Sequence, residues 1–503
     1  ELVFVNDGSP DDSVEYLLER KKDISQIKII DLSRNFGHHY AIQAGLNFAS
    51  GEYVFLIDND LETPPSILVD FFNEIKKDIP VLLERDFNIP NLSELQLEID
   101  KQYTSEDAQK RDLAWRAFQC GFIAKSENDG LNVWSKSHFP IVDEYRFFRK
   151  NFHKAWVIYT LLVRLFTFHN PFVEIIAFWK TRHVKRENYF QNHFTYLDYE
   201  NFESKLVNNK PFISVVIPTL NRYEYLKDVF KDLENQMYKN FEVIVVDQTD
   251  DFQEDFYKGW NLDLKFWFQE EKALWKARNE AIKSSKGEYI LLYDDDSLVQ
   301  PNWIEEHLKT LDFFNADLSS GVSISTVGAE VPEHYNYFRW SDQLDTGNVL
   351  LKKEIFNKIG LFDRQFEKQR MGDGEFGLRC YLAGFKNISN YKAKRIHLKV
   401  SQGGLRQMGS WDGWRPKKLF GPRPVPSVLY LSRKYFGNQL SIWYILVTIM
   451  PSLIPYQFKK SKALKLFSFI LLPFLLPLVT IQVIKSWRLA SVKLKEGNKI
   501  EWL

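Results

Sequence analysis

Two stretches of this 503-residue chain repeat the same parts in the same order. ELVFVNDGSPDD at 1–12 is answered by FEVIVVDQTDD at 241–251, and GEYVFLIDNDL at 51–61 by GEYILLYDDDS at 287–297. Asp7 and Asp58 stand 51 positions apart, Asp247 and Asp294 47. Each copy reads as an apolar strand ending in Asp, a helical stretch, and a second apolar strand ending in an Asp-x-Asp cluster. Short β-branched strands alternating with helices specify α/β units on a mostly parallel sheet. One such copy could arise by chance; two with matched order and spacing do not.

The second copy is the fuller. ISVVIPTLNR (213–222) reads as a buried strand stopped at Pro218, followed by a helix from Tyr223 to about Asn235. Strands at 241–246 and 264–268, the helix ALWKARNEAIKSS and a strand at 288–293 lead into Asp294-Asp295-Asp296. In open α/β sheets ligands bind beyond the carboxyl ends of the strands. Thr219, Asn221, Asp247 and Asp294 fall at such ends, where a nucleotide would sit. Three adjacent carboxylates repel one another unless a cation neutralises them, and hard Mg²⁺ or Mn²⁺ shares oxygen ligands with substrate phosphates. A solvated turn is the bland alternative, which the repeat disfavours. Arg278, on the helix before this strand, is placed either to contact a diphosphate or to serve as an ordinary surface arginine.

Asp373 in MGDGEFGLRCYLAGF lies between glycines and is expected on a flexible loop before a helix. Glu375 and Arg379 at i, i+4 form a stabilising pair on that helix. Asp373 suits either a general base or a helix N-cap.

Charge and hydropathy divide the rest. The 66 basic and 66 acidic residues cancel, but residues 386–503 carry 21 Lys and Arg against 3 acids, a charge of +18. Such a tail needs an anionic partner, nucleic acid or an acidic membrane surface. Within it, 435–458 and 466–484 are uncharged and densely apolar, flanked by Lys434, KKSKALK at 459–465, Lys485 and Arg488. Nucleic-acid binding does not need two greasy blocks; attachment to a membrane does. A spanning hairpin would place KKSKALK on the far side, against the positive-inside tendency, and Pro451, Pro455, Pro473 and Pro477 break simple helices. Interfacial or re-entrant insertion is therefore preferred, with spanning and ordinary core burial left open. A mean hydropathy of −0.33 excludes a polytopic membrane protein. Two cysteines, Cys120 and Cys380, fit a reducing compartment and exclude a disulfide framework. Glu1 opens inside what reads as a strand, with no signal peptide in view, so the sequence reads as a fragment.

Residues 211–400 resemble a family 2 glycosyltransferase of the GT-A fold, carrying VVIPTLNR, VIVVDQTDD, GEYILLYDDDS, TGNVLLKKEIFNKIGLFD and GDGEFGLRCYLAGF in order. The resemblance implies inverting transfer of a sugar from a nucleotide-diphospho-sugar to a glycan or lipid-linked acceptor, in cell-surface polysaccharide or glycolipid synthesis. It implies Mg²⁺ or Mn²⁺ on the diphosphate, held by Asp294 and Asp296, with His397 of RIHLKVSQGG at a position where relatives often place a metal- or phosphate-contacting His. The donor-binding set becomes Pro218, Thr219, Asn221, Asp247, Arg278, Asp294 and Asp295, with Asp247 reading the base. Asp373 becomes the catalytic base with Glu375 beside it, although Gly372 stands where an acid usually precedes that Asp. Trp411 and Trp414 are candidates for acceptor stacking or for interfacial anchoring. Lys392, Lys394 and Arg395 read either as contacts for a phosphate-bearing substrate or, preferably, as a solvated charge run.

The first copy, with NDGSPDDS, LSRNFGHHYAIQAGL and IDNDLETPP, resembles the nucleotide-binding half of polyprenyl-phosphate glycosyltransferases of the dolichyl-phosphate mannose synthase kind. Asp7, Asp58 and Asp60 match its metal and nucleotide positions. A strand equivalent to 213–218 would fall before residue 1, and no second acidic motif follows, so this unit is not expected to turn over alone.

Four regions are thus expected: a partial GT-A-like unit (1–79), a helical connecting region (80–210), a catalytic GT-A domain (211–400) and a basic, membrane-associated region (401–503). In the connecting region 92–118 reads as a charged helix, 155–166 as an apolar helix too short to span and interrupted by Arg164, placed either in core packing (preferred) or at the membrane, and 201–211 as a polar linker. The expected location is the cytoplasmic face of the cell membrane, attached through residues 435–488, with no nucleic-acid partner. A nucleotidyltransferase would show a Gly-rich strand-to-helix loop that VVIPTLNR lacks; a non-catalytic nucleotide-sugar-binding scaffold is the rival of another class.

Overall fold

A computed structural model describes residues 2–6, 12–24, 26–32, 97–123, 139–326, 331–341, 344–400, 403–405, 412–416, 418–454 and 462–503. The chain divides into two compact units, Glu1–Ile79 and Pro80–Leu503.

In the first unit, strand β1 (Leu2–Asn6), helix α1 (Ser13–Asp23) and strand β2 (Ile27–Asp31) form a parallel βαβ turn with Leu2 opposite Ile27. Asn6 Nδ2 donates to Asp31 Oδ1 at 2.7 Å. Asp7, Asp58 and Asp60 lie outside the described residues.

The second unit is built on a nine-stranded sheet. Its parallel half has the order β5 (Leu264–Phe268), β4 (Phe241–Asp247), β3 (Ile213–Thr219), β6 (Tyr289–Tyr293). Antiparallel β10 (Asn348–Lys352) then joins β6 to β8 (Leu318–Ser325). Strand β11 (Asn387–His397) runs parallel to β8 and takes β7 (Ser297–Val299) and β9 (Arg339–Trp340) as antiparallel neighbours. β3 and β4 are buried at every position, which is why they read as unbroken apolar runs rather than alternating ones. Alternate residues still serve opposite faces. Val215, Val243 and Leu291 pack under the apolar stripe Leu226, Val229, Phe230 and Leu233 of α7 (Tyr223–Glu234), while Val216, Ile244 and Leu292 pack against α8 (Leu274–Ser284). Pro218 does not stop β3. It pairs with Val246 beyond the last β3–β6 pair, Val216 opposite Leu292, a position that tolerates a residue without an N–H.

The connecting region is more structured than its sequence suggests. Among the described residues, from 97 on, its charged segment is helical from Glu106 (α2, Glu106–Gln119), where the Ser105 hydroxyl accepts from Ala108 N and Asp143 accepts from the backbone of Thr104 and Ser105. Asp112, fully buried, is neutralised by Arg116 and by Lys150 of α3 (Ile141–Asn151). Helices α4 (Lys154–Phe166) and α5 (Pro171–Lys180) follow as an antiparallel hairpin, and of α4 only Val157 is buried. The core packing expected for 155–166 is therefore not its main environment. The polar stretch 201–211 holds a short helix, α6 (Lys205–Asn209), docked on α9 (Trp303–Phe313) where Ser204 Oγ meets Asp312 Oδ2 at 2.7 Å.

After a short helix α10 (Glu354–Ile359) and α11 (Gly372–Leu382), the chain reaches α12 (Pro426–Leu453), broken at Gly437 (φ 72°, ψ 173°), and α13 (Lys462–Glu496). Leu429, Tyr430, Ile445 and Ala490 enter the same core as Phe362, Phe366 and Phe376. The C-terminal tail adds backbone bonds from Leu361 N to Glu501 O and from Arg364 N to Lys499 O. Other positions, among them Leu440, Ile442, Phe474, Ile481 and Val492, remain exposed. Among the described residues one segment, Phe474–Glu496, is long and apolar enough to cross a membrane.

Candidate functional site

β3, β4 and β6 end side by side, and the loops leaving them carry the polar residues of the second unit. Beyond β6 the chain turns through Asp294, Asp295 and Asp296 into β7, which hydrogen-bonds the end of β11. That pairing brings His397 to the acidic turn: its Nε2 lies 3.3 Å from Asp296 Oδ1. One ligand atom each from Asp294, Asp296 and His397 lie within 4.8 Å of one another. Two carboxylates and an imidazole converging so closely fit a hard or borderline divalent cation.

The three acids have separate surroundings. Asp294, half-buried, receives Arg278 Nη2 at 3.0 Å and Arg395 Nη1 at 2.8 Å. Asp295 accepts from the Thr219 hydroxyl and from Arg222 Nη1, both at 2.8 Å. Burial pushes its carboxyl up to about 6 against the pull of Arg222. For Asp296 burial also works upward, but the hydrogen bond and charge of His397 and the charge of Arg222 hold it below the ordinary carboxylate value. Arg222 Nη1 reaches Asp296 Oδ2 at 3.1 Å, so one guanidinium bridges two of the acids.

Arg395 is the buried pivot. Besides Asp294 it donates to Asp345 Oδ2, to Ser297 Oγ and to Ser323 Oγ. Burial opposes its charge, and Asp345 and Asp294 more than restore it, leaving its pKa raised. Arg278 is likewise buried and donates to the Thr346 hydroxyl at 2.7 Å and to Thr346 O at 2.9 Å. The TGN motif thus acts through its backbone path: a Cβ on Gly347 would fall on Asp294 Oδ2 and Arg395 Nη1, well inside contact distance. A second glycine pair, Gly403 and Gly404, closes the loop after β11 over the end of β3, with Gly404 N on Leu220 O at 2.7 Å and both residues at positive φ.

Asp247 is fully buried. Its Oδ2 accepts from the Tyr223 and Tyr257 hydroxyls at 2.5 and 2.8 Å and its Oδ1 from Thr249 N at 2.9 Å. Pro218 and Thr219 are buried beside it, and Asn221 is exposed with its N–H on the Thr249 hydroxyl.

Asp373 and Glu375 differ sharply. Asp373 is not on a free loop; it occupies the first turn of α11, half-exposed, with Oδ1 accepting from Gly374 N at 2.9 Å. Gly372 before it packs its backbone against the Trp275 indole, where a Cβ would collide. Glu375 is fully buried, with both oxygens on Arg379 Nε and Oε1 also accepting from Tyr435 at 2.5 Å. Lys434 Nζ stands 3.4 Å away. Its carboxylate is thereby committed to tying α11 to α12. Trp414 sits half-buried, edge-on to Tyr444 at 5.2 Å; Trp411 lies outside the described residues.

The geometry therefore gathers Thr219, Arg278, Asp294, Asp295, Asp296 and His397 into one network. Sequence reasoning missed Arg222, Asp345 and Thr346 in it and misread Arg395. Lys394 is exposed and Lys392 pairs with Glu200, as a charge run should, but Arg395 points inward.

The model of "Glycosyl transferase family 2" matches residues 1–127 and 214–375. The chain is similar to the uncharacterized glycosyltransferase YkcC of Bacillus subtilis, 45% identical over 82 residues, 16% of this chain and 25% of that protein. It is also similar to the undecaprenyl-phosphate 4-deoxy-4-formamido-L-arabinose transferase of Yersinia pestis, 46% identical over 66 residues, 13% of this chain and 20% of that one. Each match thus spans a quarter or less of the relative's length. Among solved structures, Staphylococcus aureus TarS 1–349 in complex with UDP-GlcNAc aligns with a TM-score of 0.37 at 17% identity, covering 58% of this chain and 97% of that one.

Proposed function

The chain belongs to glycosyl transferase family 2, and from that membership we propose that its second unit moves a sugar from a nucleotide-diphospho-sugar to a hydroxyl of a glycan or lipid-linked acceptor, with inversion at the anomeric carbon. The observation that carries the proposal is the convergence of Asp294, Asp296 and His397 among Arg222, Arg278 and Arg395 at the ends of the parallel strands. Acidic donors held at fixed angles by largely buried guanidinium groups suit a cation shared with a diphosphate.

In this reading Asp294, Asp296 and His397 hold Mg²⁺ or Mn²⁺, which when bound offsets the charge left on the departing nucleotide. Arg222 and Arg395 orient the acids, and Arg278 fixes Asp294 from the helix side. Pro218, Thr219 and Asn221 form the nucleoside wall, and the buried Asp247 stands behind it, where its contribution to base recognition runs through Tyr223, Tyr257 and the 247–249 backbone it holds. Asp295, bonded to Thr219, joins the acidic turn to that wall. Asp373 takes the proton from the acceptor hydroxyl. The freed oxygen attacks the anomeric carbon from the face opposite the phosphate, and the nucleoside diphosphate leaves with the bonding electrons. One direct displacement inverts configuration; no second nucleophilic carboxylate is required. Glu375 supports Asp373 through α11 rather than touching substrate.

We assign the exposed apolar faces within 435–488 to an anionic membrane surface, where a lipid-linked acceptor would be met. The name of the Yersinia relative, which carries an undecaprenyl-phosphate substrate, supports that acceptor class. The test is nucleotide release from a panel of nucleotide-sugars by the purified chain with Mn²⁺, repeated with chelator and with Asp296→Asn. Release with one donor that both treatments abolish is expected. Failure with every donor, while nucleotide-sugar still binds, would favour a non-catalytic donor-binding role.

A further inference from the structure

The α4–α5 hairpin has no part in the chemistry above, yet it presents an unusual surface. Its tip carries Phe166, Phe168 and Phe172 at 81%, 97% and 77% exposure. Below the tip, Ile158 and Leu162 on α4 and Ile175 and Ile176 on α5 are exposed as well. So much unpartnered aromatic and aliphatic surface on one small element marks an interaction site.

Charge and polarity specify the partner. The acid and base within the hairpin's apolar length, Glu174 and Arg164, neutralise each other at 2.9 Å, and Glu174 is buried with the Tyr145 hydroxyl on its second oxygen. The polar groups of the tip bond locally, although His169 and Asn170 remain exposed: Asn170 caps Phe172 N and Val173 N, and the Thr167 hydroxyl bonds Val163 O at 2.9 Å and the His169 ring at 3.0 Å. The backbone N–H groups of Thr167, Phe168, His169, Phe172 and Val173 are all bonded within the tip, which lowers the cost of taking it out of water. At the opposite end Lys154, Lys180, Arg182, Lys185 and Arg186 are all exposed, with Trp156 and Trp179 beside them. Apolar tip, tryptophan collar and cationic base follow the order of acyl chain, interface and anionic headgroup. The helices, of 13 and 10 residues, are about 20 and 15 Å long, short of the ~30 Å hydrocarbon core.

We propose that the α4–α5 hairpin inserts into one leaflet of an anionic bilayer, an anchor separate from residues 435–488 and independent of the catalytic reading.

Cys120 and Cys380 are buried, so a Phe168→Cys variant of the full chain can be labelled selectively with an environment-sensitive fluorophore. Vesicles of phosphatidylethanolamine and phosphatidylglycerol with bromines in the acyl chains are the probe. The label is expected to shift to the blue and be quenched on these vesicles, while a label at Lys185→Cys shifts little. Vesicles of phosphatidylcholine alone should need at least about tenfold more lipid for the same response, given the five exposed cations. Three results would overturn the proposal: a Phe168→Cys label that stays in water on vesicles to which the chain has bound, a blue shift without vesicles that grows with protein concentration (a second copy covers the tip), or a concentration-independent shift without vesicles (the tip is covered within the chain). An equal response on phosphatidylcholine would overturn the anionic specificity.

Discussion

Arg395 Nη1 donates to Asp294 Oδ2 at 2.8 Å from a side chain only 1% exposed, while its Nη2 donates to Asp345 at the same distance. One buried cation thus sets the angle of the first acid of the proposed metal-binding trio. Arg395→Ala takes this guanidinium from Asp345 and leaves Asp294 with Arg278 alone, so the cost falls at or below the lower end of the roughly 3–5 kcal/mol for breaking a fully buried pair. Arg395→Lys keeps the charge but not the planar fork, and restores only part of the loss. Thermal unfolding and nucleotide release measured on both variants check this. Equal melting of wild type and Arg395→Ala would remove the pivot role.

Gly347 permits that pivot. The added methyl of Gly347→Ala meets Asp294 and Arg395 together, so one of them must move. The expected result is a folded protein whose Mn²⁺ affinity falls about 10–100-fold, the range seen when groups orienting a metal ligand are disturbed. Titration of Mn²⁺ followed by electron paramagnetic resonance measures it directly.

The parallel half of the sheet was legible because β3, β4 and β6 are short apolar runs ending in acids, and the ends of such strands are where ligands collect. His397 was found by resemblance, but Arg395 was hidden by its neighbours Lys392 and Lys394. A signal existed: in a strand, positions two apart share a face, so Arg395 accompanies His397 and Ala393 inward while Lys394 and Ile396 turn out. Burial of Glu375 had no such local signal, because Lys434 and Tyr435, which meet it, are some 60 positions away. Nor could composition separate the α4 surface from a core helix, since both read as the same apolar run.

Asp373 and Glu375 should separate cleanly. Asp373→Asn is expected to retain donor binding and thermal stability and to lower transfer at least 100-fold, the ordinary contribution of a positioned base. Glu375→Gln breaks a buried cluster of Arg379, Lys434 and Tyr435, and should lower stability by about 3 kcal/mol or more with a smaller effect on kcat in the folded fraction. Donor binding, thermal melting and single-turnover transfer on the two variants distinguish the roles. A transfer defect in Glu375→Gln equal to that of Asp373→Asn, without loss of stability, would return Glu375 to the chemistry.

His307 gives the second unit a pH-dependent term in its stability. It is fully buried between Ser319 Oγ at 2.9 Å and Asn348 Oδ1 at 3.1 Å. Asn348 Nδ2 donates to Val322 O and Ala393 O, so its oxygen faces the ring and His307 Nε2 carries the proton. The Ser319 oxygen already accepts from Asn390, leaving its hydroxyl to donate to Nδ1 of a neutral ring. Burial pulls the imidazole down to about 4 from an ordinary value of 6.5. Between those values the unfolded chain binds the extra proton and the folded chain does not, so stability rises with pH across that window. The contribution is complete above about pH 6.5 and amounts to roughly 3 kcal/mol, lost as pH falls toward 4. Asp295, whose carboxyl is raised to about 6 by burial, acts with the opposite sign over part of the same range. The His307 term is therefore read as a difference: denaturant unfolding at pH 7.5 and pH 5 for wild type and for His307→Gln. Wild type should lose more stability on acidification than the variant, and parallel losses in the two proteins would show that the buried ring does not control it.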